Sequence, residues 1–190
     1  PFFPEYSVFV TQAGAKPVVV QTTPHEFRID INAVSAAVSE KTKAIIVNSP
    51  NNPTGVVYSE SEIKALADLL ASKQREYGHE IYLISDDPYR KLVYGNVRVP
   101  YAMKYYDNTG VCYSFSKALS LPGERIGYIA LSPTASNRDD LFAAVCGAGR
   151  ALGYVCAPSL FQYAITDFLD TTSDTGVYEE NRRILVTALA

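Results

Sequence analysis

Lys117 stands in the stretch YSFSKALSLPGERIGY, with Ser114 and Ser116 just before it and Arg125 eight positions after it. An amine of this kind can form an imine with an aldehyde. Hydroxyls and an arginine fork suit a phosphate. Two other short stretches concentrate polar groups. NSPNNPTG holds Asn52, and SDDPY holds Asp86 and Tyr89. A carboxylate can hold a proton on a ring nitrogen, while a phenol and an amide can hydrogen-bond a ring oxygen.

These residues need elements that bring them together. KAIIVNS (43–49), EIYLISD (80–86), GVCYSF (110–115) and RIGYIAL (125–131) read as buried strands, and PVVVQ (17–21) as one more. Helical spacing marks residues 4–11, then Ile31, Val34, Ala37 and Val38, then Ile63, Leu66, Leu69 and Leu70. Ser59 and Glu62 form an S-x-x-E capping box before the third of these, and Gly78 follows its end. Helices are also expected over 137–145, 159–169 and 178–189. Helices alternating with apolar strands predict an α/β fold, a three-layer sandwich around a mainly parallel mixed sheet. In such sheets ligands sit beyond the carboxyl ends of the strands. Three strands here end in the polar stretches named above, so their ends are expected to converge on one edge. The aldehyde, phosphate, ring nitrogen and ring oxygen that this set would recognise are the parts of pyridoxal 5'-phosphate.

The three stretches, in this order on strand ends, resemble the fold-type I pyridoxal-phosphate enzymes, specifically the class I/II aminotransferases. The resemblance covers nearly the whole chain. It implies that Lys117 carries the cofactor as a Schiff base and later acts as the base of a 1,3-proton transfer. It implies that Asp86 pairs with the pyridine nitrogen and that Tyr89 and Asn52 hydrogen-bond the ring 3'-oxygen. Ser114 and Arg125, with Ser116 beside them, match phosphate ligands. Asp87 is expected to point away from Asp86, since neighbouring residues diverge. Phe3, in PFFPEY, lies where the family places an aromatic on the pyridine face, with Phe2 as the alternative. Gly123 and Gly127 read as backbone requirements, a tight turn and close packing. The resemblance further implies amino acid and 2-oxo acid substrates and a homodimer.

Residues 1–170 are accordingly expected to belong to a large cofactor-binding domain and 171–190 to begin the connection to a small one, with a boundary near 171–176. The abrupt start and the helical end read as cuts, and the arginine-bearing small domain of the family lies outside these residues. The isolated 190 residues are expected to have little or no transaminase activity. Two other readings share the motifs: a carbon–sulfur β-lyase or cyclopropane-forming synthase on the same scaffold, and a cofactor-sensing domain of a transcription regulator. GAGRALG (147–153) resembles a dinucleotide loop, but its spacing is off by one and no strand precedes it, so it reads as a turn between helices.

Composition narrows the rest. The chain is 47% hydrophobic and 19% charged with net charge −3, as in a globular protein. That balance does not suit a broad basic surface for nucleic acid or anionic membrane. No apolar run approaches the roughly 20 residues of a spanning helix. Three cysteines without CxxC spacing and two separate histidines argue against a disulfide framework or a metal site, and for a reducing cytoplasm.

Overall fold

The structure is a computed structural model and describes residues 1–171 and 174–189. A four-stranded sheet runs in the order β1 (Ala44–Asn48), β2 (Tyr82–Asp86), β3 (Thr109–Ser114), β4 (Gly127–Leu131). The first three strands are parallel and β4 is antiparallel to β3. This is the mixed, mostly parallel sheet of an α/β fold. Register places Asn48 beside Asp86 and Asp86 beside Cys112, so the carboxyl ends of β1, β2 and β3 do lie side by side.

Helix α1 (Glu5–Gln12) and helix α2 (Ile31–Ala37) precede the sheet. Helix α3 (Glu60–Tyr77) crosses from β1 to β2. Its start follows from the capping box: the Ser59 hydroxyl accepts from the Glu62 amide, and the Glu62 carboxylate accepts from the Ser59 amide. Gly78 ends it with φ 68°, the left-handed conformation that glycine tolerates. Its apolar stripe, Ile63, Leu66, Ala67 and Leu70, packs with Val34, Ile81 and Leu83 as the main core. Leu66, Leu70 and Leu83 are fully buried, each contributing on the order of 1.5–3 kcal/mol.

The short helix α4 (Phe115–Ala118) follows β3 directly and carries Lys117. Helices α5 (Arg138–Ala151), α6 (Ser159–Ala164) and α7 (Gly176–Leu189) complete the order, with a 3-10 turn over Ile165–Phe168 after α6.

Three expectations change. Residues 17–21 form no strand, and Val18 and Val19 are exposed. Their β-branched side chains suit a strand, but a ladder needs a neighbour, and among the described residues none pairs with them. Residues 147–151 are not a turn: α5 continues through them, the two glycines costing less than the helix gains by propagating. Gly123 has neither a positive φ nor a neighbour within reach of a Cβ, so its turn does not demand glycine. The boundary expected near 171–176 falls partly on residues 172 and 173, outside the described residues.

Candidate active site

β2 delivers Asp86 at its end. Side chains alternate along the strand, so Leu83, Ser85 and the following Asp87 share the face toward α3, while Ile84 and Asp86 face the other way. Asp87 therefore turns away from Asp86, as expected. The Tyr6 hydroxyl, from α1, donates a hydrogen bond to Asp86 Oδ2. Among the described residues none bonds Oδ1. Burial raises the Asp86 pKa, the bond from Tyr6 lowers it, and the nearby Asp87 raises it, for a net upward shift. Burial and Asp86 together push the Tyr6 phenol well above its ordinary range. Burial and then Asp86 also raise Tyr89. Cys112, beside Asp86 in the sheet, is pushed up to about 11 by burial and then by Asp86 and Asp87, so it is a neutral thiol near pH 7.

The loop after β1 is tied to the same edge. Asn48 Nδ2 donates to the Asp86 carbonyl at 2.8 Å, and Asn48 Oδ1 accepts from the Asn52 amide at 2.7 Å. Asn51 Oδ1 accepts from the Thr54 hydroxyl, closing the turn. Asn52 is thus held one residue pair away from Asp86. Phe3 packs edge-on against Tyr6, with ring centroids 5.6 Å apart, which puts it rather than the more exposed Phe2 beside the Asp86 partner.

β3 and α4 supply the amine and the hydroxyls. Lys117 Nζ lies 5.9 Å from the centre of the Tyr89 ring. Ser114 caps α4, its hydroxyl accepting from the Ser116 amide and donating to the Ser116 hydroxyl. Ser114, Ser116 and Arg125 line one cavity of about 230 Å³, with Ile126, Gly127 and Tyr154. Arg125 sits at φ 51°, an uncommon conformation for a residue with a side chain, and donates to the Pro122 carbonyl at 2.7 Å. A Cβ on Gly127 would stand 2.4 Å from the Tyr113 carbonyl oxygen, so only glycine lets β4 approach β3 at the cavity floor. A larger open hollow, about 360 Å³, lies around Asn137–Asp140, but its Arg138 and Asp139 pair with each other and it gathers no comparable set of groups.

Two subsets emerge: Asp86, Tyr89 and Lys117 on one side, and the hydroxyl–guanidinium cup of Ser114, Ser116 and Arg125 on the other. Lys117 links the two along the chain, directly after Ser116 on α4. An anion cup, an amine on the helix it caps and a half-buried carboxylate with one oxygen uncommitted among the described residues fit the phosphate, aldehyde and ring nitrogen of pyridoxal phosphate. Three contributors escaped the sequence reading. Tyr6 follows Phe3 by three positions, the spacing that stacks side chains on a helix face. Asn48 is the polar residue that closes an apolar strand. Tyr154 carried no such signal.

The sequence matches the aminotransferase class I and II family over residues 1–188. The chain belongs to that family. It is 37% identical over 135 residues to an aspartate aminotransferase of Bacillus subtilis, covering 68% of this chain and 33% of that one. A crystal structure of an aminotransferase from Eubacterium rectale superposes with TM-score 0.96 at 53% identity, over all of this chain and 48% of the other. N-succinyldiaminopimelate aminotransferase from Mycobacterium tuberculosis gives TM-score 0.83 at 31% identity, again over all of this chain and 48% of the other. The chain thus spans between about a third and about half of the length of these relatives. No helix among the described residues is long and apolar enough to cross a membrane.

Proposed function

We propose that these residues form the cofactor-binding part of a pyridoxal-phosphate-dependent aminotransferase that moves an amino group between an amino acid and a 2-oxo acid. The reading is carried by Lys117, whose amine stands over the Tyr89 ring and which follows Ser116 of the Ser114–Ser116–Arg125 cup on α4. Bound there, pyridoxal phosphate supplies an aldehyde that condenses with amines and a ring that withdraws electrons from the carbon beside the nitrogen.

This chain's residues do the rest. Arg125 offers parallel donors to phosphate oxygens, and the Ser114 and Ser116 hydroxyls exchange their mutual bond for bonds to the same anion. Lys117 would hold the aldehyde carbon covalently, and where an amino acid takes its place the freed amine would be the base that receives the proton of the substrate α-carbon. Asp86 would hold a proton on the ring nitrogen with the oxygen Tyr6 leaves free, Tyr89 and Asn52 would hydrogen-bond the ring oxygen, and Phe3 would cover the ring face.

Residues 1–170 are read as large-domain structure and 171–190 as the start of the connection onward. A homodimer and a cytoplasmic location are part of the same proposal, supported by the family resemblance and by three cysteines without disulfides among the described residues.

Adding pyridoxal phosphate is expected to give the absorbance of a lysine imine. Borohydride followed by peptide mapping should place the label on Lys117. A label on any other lysine overturns the assignment.

A further inference from the structure

Asp87 is 1% exposed, and a buried carboxylate is costly unless both its oxygens are engaged. Both are. The Ser85 hydroxyl donates to Oδ1 at 2.6 Å, and Arg90 donates to Oδ2 through Nε at 3.0 Å and through Nη2. The same guanidinium donates to the Val99 carbonyl at 2.9 Å and the Pro100 carbonyl at 2.8 Å, and lies 4.5 Å from the centre of the Tyr101 ring. One arginine therefore ties the point where the chain leaves β2 to the point where it returns, closing the neck of the segment between.

Tyr89 lies inside that neck. Its turn is closed by the Arg90 amide donating to the Asp87 carbonyl at 3.2 Å and the Leu92 amide donating to the Tyr89 carbonyl at 2.8 Å. Arg90 lies near the stacked rings of Tyr113 and Tyr128, and Asp87 near Tyr128, while Tyr89 lies near Asp86 and under the Lys117 amine. Among the described residues, no side-chain hydrogen bond joins either member of the pair to the groups that would hold the cofactor.

We propose that the Asp87–Arg90 pair is the positioning device for Tyr89: its fork fixes the turn that holds the Tyr89 ring beneath the Lys117 amine. The inference rests on the reading of Lys117 and Tyr89 given above. Lysine keeps the charge but cannot make four directed contacts from one rigid plane, so Arg90→Lys loosens the turn without leaving Asp87 unpaired.

A double-mutant cycle on pyridoxal phosphate affinity, followed by absorbance titration in the full-length protein, separates this role from a merely structural one. Arg90→Lys is expected to weaken affinity about tenfold when Tyr89 is present and less than about twofold beside Tyr89→Phe. Equal losses in both backgrounds, or no loss in either, overturn the inference. If Arg90→Lys melts too low to assay, Asp87→Asn with Arg90→Gln, which leaves no unpaired charge, takes its place under the same two outcomes. A parent protein that takes up no pyridoxal phosphate overturns the reading of the site, and this inference with it. A parent that binds it normally while the losses stay equal overturns this inference alone.

Discussion

Asp86 is where fold stability and the proposed chemistry pull against each other. Its folded pKa lies above the ordinary carboxylate value because burial outweighs the bond from Tyr6, with Asp87 adding to the rise. The folded chain then holds the Asp86 proton more tightly than the unfolded chain does. Such a group favours folding below its unfolded pKa and loses that contribution as pH rises through the folded value. Ionised Asp86 is thus a net cost to the cofactor-free fold at pH 7. Asp86→Asn, which can still accept from Tyr6, is expected to melt higher than the parent at pH 7, the gap closing as pH falls toward about 3. Thermal melts across that range test it, and a variant that melts lower at pH 7 would contradict it. The same substitution should lose pyridoxal phosphate affinity, since an amide cannot hold a ring proton as a carboxylate does.

At the scale of elements, the sheet edge is set by how closely β4 can approach β3. Gly127 pairs with Ser114 in register and leaves no room for a Cβ against the Tyr113 carbonyl. Gly127→Ala should push β4 outward, costing about 1–3 kcal/mol in urea unfolding as an overpacked site does. It should also weaken pyridoxal phosphate binding, because the floor under Ser114 and Arg125 moves with the strand. A variant of parental stability and affinity would mean the strands can part without consequence. The four strands that formed were legible because each is an apolar run ending in turn or polar residues, and α3 because it carries both its cap and its stripe. PVVVQ was misread because strand propensity is met only where another strand offers a ladder. Helix α5 ran longer than expected because Gly147 and Gly149 weaken a helix without stopping it. At the site, Asn52, Asp86, Tyr89 and the Lys117 stretch could be gathered because each follows a strand, and parallel strands align their ends. Tyr6 could not, since its bond to Asp86 joins positions 80 residues apart in the chain and only the packing of α1 brings them together.

Across the whole molecule, burial is uneven in a way that bears on dynamics. The main core draws on α2, β1, α3 and β2 and the segment before β3, and a smaller cluster joins Tyr113, Phe115, Ala118 and Ile126 under Lys117. Helices α5, α6 and α7 have no buried residue among those described, and Phe142, Leu160, Tyr163 and Leu185 present apolar surface to solvent. Apolar surface on this scale marks a contact face. In the 190-residue chain alone, such helices are held by their own hydrogen bonds, by the partly buried Phe161 and Ile165 packing on the smaller cluster, and by surface contacts such as the Gly95 amide donating to Glu179. Local opening is cheapest where little apolar area is lost by it. Hydrogen exchange in this chain is therefore expected to run at least about 100-fold faster in α5–α7 than in β1–β3 and α3. Comparable protection in both regions would show that the terminal helices find cover the monomer lacks, and self-association through that apolar face would then appear as concentration-dependent exchange.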